Sequence, residues 1–117
     1  MLKTYSGSCH CGAVRFQADI DLAQPTYRCN CSVCRRNRFW PAIVAPERFR
    51  LLAGADALAD YQIHTHTAHH HFCKVCGIYP FHRKRVTPDY YGINVYCLDG
   101  FDPAGIPIRM TVGAGMP

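Results

Sequence analysis

Cys73-Lys74-Val75-Cys76-Gly77 contains two cysteines separated by two residues and followed by a glycine. Zinc takes four ligands in a tetrahedron, and two of them often come from one tight turn of the chain. Gly77 gives the backbone the freedom to fold under a metal ion. The segment therefore predicts a knuckle-like turn that contributes two thiolates to a zinc ion.

A second pair of cysteines, Cys9 and Cys11, lies more than sixty residues earlier in the chain. Side chains at i and i+2 of an extended segment point the same way, so both sulfurs can reach one ion. The two pairs make a complete four-sulfur site, and we predict that Cys9, Cys11, Cys73 and Cys76 bind a structural zinc ion. Closing so long a loop would stabilise a small domain.

Three further cysteines, Cys29, Cys31 and Cys34, fall within six residues. Three thiolates with an open fourth position form the ligand set of a catalytic zinc, and we predict a second, catalytic or labile zinc ion here. Three alternatives remain open: Cys97 completes the set and makes both ions structural, the triplet is a redox cluster without metal, or the cysteines form disulfides. Taken alone, Cys97 is more typical of a buried thiol.

Short apolar and alternating segments, separated by glycine and proline, occupy most of the chain. Residues 13–18 alternate apolar and polar side chains, as a half-buried strand does. Single helical turns are predicted only at 56–60 and after Asp102. The pattern predicts an all-β fold in one zinc-binding domain spanning 1–117. The predicted strands are 2–5, 13–18, 25–29, 39–44, 48–52, 61–67, 81–84 and 90–97.

Composition excludes a membrane span, because no apolar run approaches the length needed to cross a bilayer. The N-terminal residues do not resemble a signal peptide, so we expect a reducing, cytoplasmic location in which cysteines stay as thiols or bind metal. The formal net charge is +5. Two zinc ions held by four and by three thiolates would lower it to about +2, which argues against a nucleic-acid partner.

Three segments resemble the glutathione-dependent formaldehyde-activating enzyme family: 7–16, 29–36 and 72–77. They occur in the order and separation typical of that family, and the segment 95–100 is also similar. The resemblance covers about residues 5–100. It implies a small β-tent built from short antiparallel sheets around a structural zinc.

The resemblance also implies two zinc sites, with the same four-cysteine and three-cysteine ligand sets. It implies a carbon–sulfur lyase that joins formaldehyde and glutathione into S-hydroxymethylglutathione. The chain departs from the family at Asn30, where the triplet usually carries histidine, and at the bulky segment 37–41 after the triplet. Both departures lie beside the predicted open zinc, so they bear on the substrate rather than on the metal.

A cluster of arginines follows the triplet. Arg35, Arg36 and Arg38 could hold the carboxylates of a glutathione-like thiol, since the planar guanidinium matches a carboxylate in geometry. In this hypothesis a zinc ion held by the triplet cysteines deprotonates the thiol, whose sulfur then adds to the carbon of a small aldehyde. Phe39 and Trp40 either exclude water from this pocket or pack in a strand core.

Five histidines fall within eight residues: His64, His66, His69, His70 and His71. Imidazoles bind zinc and copper well, but such a run is more often a solvated or internally satisfied strand and loop than a functional site.

A second class of function also fits the sequence. A zinc-stabilised module without turnover could bind a protein, a small ligand or a nucleic acid through two basic clusters, the arginines after the triplet and the segment 83–85. An open fourth zinc position favours the enzyme, whereas closure of the triplet by Cys97 favours the module.

Overall fold

The computed structural model describes residues 2–29, 32–37, 39–62, 69–83 and 90–111, and it describes residues 29, 32–34 and 109–111 by their backbone alone. Ten strands and one α-helix lie within these ranges. Their order is β1 (Lys3–Ser8), β2 (Arg15–Ile20), β3 (Thr26–Cys29), α1 (Ser32–Asn37), β4 (Pro41–Val44), β5 (Phe49–Ala53), β6 (Leu58–Tyr61), β7 (His69–Cys73), β8 (Phe81–Arg83), β9 (Tyr91–Asn94) and β10 (Ile108–Thr111).

The strands form two antiparallel sheets and one parallel pair. The first sheet has the order β1-β2-β5, and the second has the order β4-β9-β8-β7-β6. Strands β3 and β10 pair in parallel, with Thr26 opposite Ile108. The β4-β9-β8-β7-β6 sheet is the one that carries the second cysteine pair, because β7 ends at Cys73.

The core lies between the two sheets and follows from the alternating pattern of β2. Phe16, Ala18 and Ile20 point inwards and are buried, while the residues between them are exposed or half-buried. Phe49 of β5 lies 4.7 Å from Phe81 of the larger sheet, measured between ring centroids. Burying such rings is the main favourable term in folding a domain of this size.

The predicted all-β fold with short antiparallel sheets, a β-tent, is confirmed, but four details of the prediction are wrong. Residues 32–37 form a helix of six residues, too short to leave a helical period in the sequence. Strands β7 and β10 are absent from the predicted set, and β10 pairs with β3 in parallel. The turn predicted at 56–60 ends at Ala57, where β6 begins. The strand predicted at 90–97 ends at Asn94, and a 3₁₀ turn follows. Of the strand predicted at 61–67, residues 63–67 lie outside the described part.

The parallel pair is fixed to the larger sheet by a buried hydrogen-bond chain. The Trp40 indole N–H donates to Thr26 Oγ1 at 2.6 Å, and the Thr26 hydroxyl donates to the carbonyl of Pro107 at 2.6 Å. Thr26 and Trp40 are both buried, so these polar atoms depend on each other for partners. These hydrogen bonds tie β3, which ends at the first cysteine of the predicted triplet, to the segment before β10.

Asp19 on β2 is expected to make the fold sensitive to acid. Arg50 donates to its carboxylate at 2.9 and 3.2 Å, and Thr4 Oγ1 donates at 2.7 Å. These contacts lower the pKa of Asp19 from its ordinary 3.8 to about 2. Because the folded-state pKa is the lower one, the stabilisation is complete above about pH 4 and is lost as the pH falls towards 2.

Asp19→Asn should therefore lower the melting temperature at pH 7 and should flatten its decline between pH 4 and pH 2. Thermal unfolding followed by circular dichroism at several pH values measures both effects. Asp99→Asn, the same change at an exposed aspartate, is the control and should leave the melting temperature at pH 7 as in the wild type. An unchanged pH profile in Asp19→Asn would contradict the role of the ion pair.

Candidate metal centre

Four cysteine side chains from distant parts of the chain meet at one point. The sulfur atoms of Cys9, Cys11, Cys73 and Cys76 all lie within 4.8 Å of one another. Cys11 Sγ is 3.6 Å from both Cys9 Sγ and Cys73 Sγ. In a tetrahedral site with zinc–sulfur bonds of about 2.3 Å, the sulfurs are separated by about 3.8 Å. The spacing therefore suits one tetrahedral ion.

The Cys73–Gly77 turn is held by backbone hydrogen bonds. The Gly77 N–H donates to the Cys73 carbonyl at 2.8 Å, and the Cys73 N–H donates to the Ile78 carbonyl at 2.8 Å. Gly77 has a φ of 79°, which a residue with a Cβ adopts only with strain. The Val75 N–H donates to Cys73 Sγ at 3.4 Å. The turn therefore has the knuckle shape that the sequence predicts.

The Cys9–Cys11 segment forms a similar turn after β1. The Cys9 N–H donates to the Val14 carbonyl at 3.1 Å, and the Val14 N–H donates back to Cys9 Sγ at 3.3 Å. Gly12, with a φ of 82°, closes this turn. Amide donors to sulfur favour the thiolate form and orient it, as second-sphere groups do around metal ligands.

The thiols of Cys76, Cys9 and Cys11 have pKa values shifted in different directions. Backbone N–H groups of Cys11 and Ile78 lower the pKa of Cys76 to about 6. Burial raises the pKa of Cys9, but the Val14 amide and the thiols of Cys11 and Cys73 outweigh it and bring that pKa below its ordinary value. The Ala13 amide lowers the pKa of Cys11, yet burial and the other three cysteines outweigh it and raise that pKa to about 11.

Four thiols at this spacing cannot all ionise without a cation, because neighbouring thiolates repel each other. A soft dication removes that repulsion, and zinc is the metal that thiolate ligands typically bind in tetrahedral geometry. Cys9 and Cys73 are buried, whereas Cys11 lies at the surface. The four side chains thus fit a metal ion of the zinc type, and they leave it no vacant coordination position.

Cys97 is close to this cluster but is not one of the four sulfurs that converge. It is half-buried in the 3₁₀ turn Val95–Cys97 and packs against the core. Burial, together with Cys9 and Cys76, raises the pKa of its thiol to about 12. Cys97 therefore lies outside the four-cysteine group, and its role as a core thiol rather than a ligand of the triplet stays a prediction.

The predicted cysteine triplet spans the junction of β3 and α1. Cys29 is the last residue of β3 and Cys34 lies within α1, while Cys31 lies outside the described residues. The three side chains are likewise outside the described part, so the three-cysteine site stays a prediction. Arg35 and Arg36 are exposed on the last turn of α1, and Arg38 is not described.

Phe39 and Trp40 are both buried. The Phe39 ring centroid lies 4.6 Å from that of Tyr79 and 4.5 Å from that of His82. The Trp40 ring lies under the guanidinium of Arg28, 4.9 Å from its central carbon. Both rings therefore pack in the protein interior, next to the segment that carries the triplet.

The histidine-rich segment divides between two faces of β7. His69 Nδ1 lies 2.9 Å from the carboxylate of Asp60, and burial lowers the pKa of His71. His70 points to the other face and is buried. His64 and His66 lie outside the described residues. The described histidines do not form a metal cluster with one another, and the four-cysteine group is the one metal-type cluster in the described ranges.

The sequence analysis missed a row of polar side chains on the larger sheet. In the strand register, His70 lies opposite both Tyr61 and His82, and His82 lies opposite Gly92. Tyr79 bridges the two histidines by its hydroxyl. His82 stands alone in the sequence, so only the pairing of β7 with β8 could have predicted that it meets His70.

Known proteins resemble the chain over most of its length. A sequence profile of the family described as glutathione-dependent formaldehyde-activating enzyme matches residues 4–110. A crystal structure of a Rhodobacter sphaeroides protein has 39% sequence identity and a TM-score of 0.82, and the match covers 89% of this chain and 99% of that one. In the described residues, no helix combines the length and apolar character needed to cross a bilayer.

A curated protein of Halomonas elongata is 33% identical over 79 residues. It is provisionally named a glutathione-dependent formaldehyde-activating enzyme. That match covers 61% of this chain and 50% of the relative, so the chain spans about half the length of the curated relative. The fold, the converging cysteines and the profile match agree. The chain belongs to the glutathione-dependent formaldehyde-activating enzyme family.

Proposed function

We propose that the protein is a zinc-dependent carbon–sulfur lyase that adds a thiol to a small aldehyde, with glutathione as the thiol and an S-hydroxymethylglutathione-like product. The observation that carries this proposal is the family match over residues 4–110, together with the four sulfurs that converge in the described part. The expected location is a reducing compartment, where thiol ligands stay reduced.

Two metal sites with different tasks are part of the proposal. Cys9, Cys11, Cys73 and Cys76 would hold a structural zinc, since four thiolates complete its coordination. Cys29, Cys31 and Cys34 would hold a second zinc through three thiolates. A zinc ion with an open fourth position acidifies a thiol that enters it, and this makes the sulfur nucleophilic at neutral pH.

Arginines of the chain would bind the thiol cosubstrate. Arg35 and Arg36 are exposed at the end of the helix that contains Cys34, and Arg38 follows in the sequence. Glutathione carries two carboxylates, and a guanidinium binds a carboxylate through two parallel hydrogen bonds. These arginines are therefore the proposed binding groups for the ends of the tripeptide, whose sulfur would lie at the triplet.

The test compares thiols on zinc-loaded protein. Exchange NMR with ¹³C-formaldehyde measures the rate at which the S-hydroxymethyl adduct, a hemithioacetal, forms and breaks. The spontaneous rate without protein is subtracted. The rate should rise with protein concentration for glutathione. It should rise much less for 2-mercaptoethanol, which lacks carboxylates. The double variant Arg35→Ala, Arg36→Ala should remove most of that preference.

A zinc-loaded protein that never exceeds the spontaneous rate with any tested thiol and aldehyde would overturn the proposal. It would favour the second class of function, a zinc-stabilised module that binds a protein, a small ligand or a nucleic acid without turnover.

A further inference from the structure

Cys11 is the most exposed side chain of the four-cysteine group. It lies at the surface, whereas Cys9 and Cys73 are only 2% and 0% exposed and Cys76 is half-buried. Cysteine ligands are thiolates once a metal ion is bound, so ionisation does not distinguish the four sulfurs in the metal-loaded protein. Cysteine oxidation follows thiolate character and exposure, and exposure therefore singles out Cys11.

Two buried sulfurs lie next to the sulfur of Cys11. Cys11 Sγ is 3.6 Å from Cys9 Sγ and 3.6 Å from Cys73 Sγ. A disulfide bond measures about 2.05 Å, so a shift of the exposed Cys11 side chain by about 1.5 Å closes either gap. An accessible thiolate beside a second thiolate is the arrangement found in cysteines that respond to oxidants.

We propose that Cys11 is a modification site for small peroxides, and that its oxidation to a disulfide with Cys9 or Cys73 opens the four-cysteine group and releases the metal ion. The inference rests on the structural zinc proposed above, but it does not depend on the lyase activity. It gives the four-cysteine group a second task, because the group that stabilises the fold is then also the point at which an oxidant destabilises it.

The oxidation takes two steps and consumes one peroxide molecule. Cys11 Sγ attacks one peroxide oxygen, the oxygen–oxygen bond breaks and hydroxide leaves, so that the sulfur becomes a sulfenic acid. Cys9 Sγ or Cys73 Sγ then attacks this sulfur, and the sulfur–sulfur bond forms as a second hydroxide leaves. The two cysteine sulfurs lose two electrons in total, and the peroxide gains them.

The loss of two thiolates leaves an incomplete set of metal ligands. A disulfide carries no charge, so two thiolates remain where four completed the tetrahedron. Release of the metal removes the folding free energy that its binding supplies. Peroxide should therefore release zinc and lower the melting temperature, and a thiol reductant added with zinc should restore both.

The site of first oxidation can be measured on the zinc-loaded wild type without any enzyme assay. Dimedone, which traps sulfenic acids, should label Cys11 before the other three cysteines during exposure to hydrogen peroxide. Without dimedone, peptide mapping by mass spectrometry should find Cys11 linked to Cys9 or Cys73. Earlier labelling of another cysteine of the four, or a disulfide within the group that leaves out Cys11, would overturn the proposal.

Cys11→His removes the exposed sulfur without removing a ligand. Histidine replaces cysteine in many structural zinc sites, so the variant should keep its metal. Peroxide should release zinc from it about 10-fold more slowly, because no sulfur of the group then lies fully at the surface. Cys76→His is the matched control, the same change at a half-buried ligand, and its release rate should stay within about threefold of the parent protein.

Both changes are made in the Cys31→Ser protein, so that the released zinc comes from the four-cysteine group. A coloured chelator follows the release, and circular dichroism with metal analysis verifies that each variant starts folded and loaded. A loaded Cys11→His protein that releases zinc as fast as its parent would overturn the modification site. A wild type that binds no zinc would instead refute the structural zinc, and the modification site with it.

Discussion

Cys73→Ser should abolish the cooperative thermal unfolding of the domain and should reduce its zinc content below that of the wild type. Cys73 is fully buried at the end of β7, and its sulfur lies 3.6 Å from that of Cys11, sixty-two positions earlier in the chain. Serine offers zinc a poor ligand and leaves three thiols facing one another without a full tetrahedron.

The expected loss of folding free energy is comparable to the whole stability of a small domain. Structural zinc contributes on the order of 10 kcal/mol to folding in small zinc domains. The total stability of most domains is about 5–15 kcal/mol. A domain this small also buries a limited share of its surface. Removing the metal with a strong chelator should therefore have the same effect as the substitution, and readdition of zinc should reverse it.

Cys97→Ser is the matched control, because it makes the same change in a half-buried thiol outside the converging four. It should cost about 1 kcal/mol in unfolding free energy. It should leave the zinc content as in the wild type. Circular dichroism melting and mass spectrometry of the native protein measure the two quantities. A Cys73→Ser protein that melts like the wild type with full zinc would contradict a structural metal at this cluster.

The four-cysteine group could be predicted from the sequence because each cysteine pair lies in one short segment, and the local backbone of that segment decides where its two sulfurs point. Cys73 and Cys76, separated by two residues and followed by Gly77, can only present their sulfurs on one side of a turn, and Cys9 with Cys11 does the same. Joining the two pairs needed no knowledge of the strands between them. The structure brings the four sulfurs together, as that reasoning predicts.

The strand segments could also be predicted from the sequence, since the alternation in β2 places Phe16 and Ala18 on the inner face. The pairing between strands could not be predicted. The parallel contact of β3 with β10 depends on tertiary bonds such as that from Thr26 to Pro107, eighty-one positions away. A six-residue helix that begins at Ser32 is too short to leave a period in the sequence.

The His70–Tyr79–His82 arrangement shows the same limit. His70 was assigned to a histidine-rich strand, and His82 had no distinguishing neighbour in the sequence. They meet because β7 and β8 pair with His70 opposite His82. A shift of one residue in that register would place the two imidazoles on opposite faces of the sheet. Side-chain pairs that depend on register need the tertiary structure.

Cys31→Ser should have the largest effect on activity. We expect the zinc content to fall from about two ions per chain to about one, and the thiol-addition rate to fall about 1000-fold or more. The domain should stay folded, because the closed site at Cys9, Cys11, Cys73 and Cys76 uses none of the triplet thiols. Metal analysis, circular dichroism and the exchange assay measure these three outcomes on one sample.

Cys97→Ser provides the matched comparison here as well, because it tests whether the second site is open. If Cys97 stays a core thiol, its substitution leaves two ions and the activity in place, and only Cys31→Ser removes one ion. Equal loss of zinc in both variants would make Cys97 the fourth ligand of the triplet. The second ion would then have no position for an incoming thiol, and a structural role would replace the catalytic one.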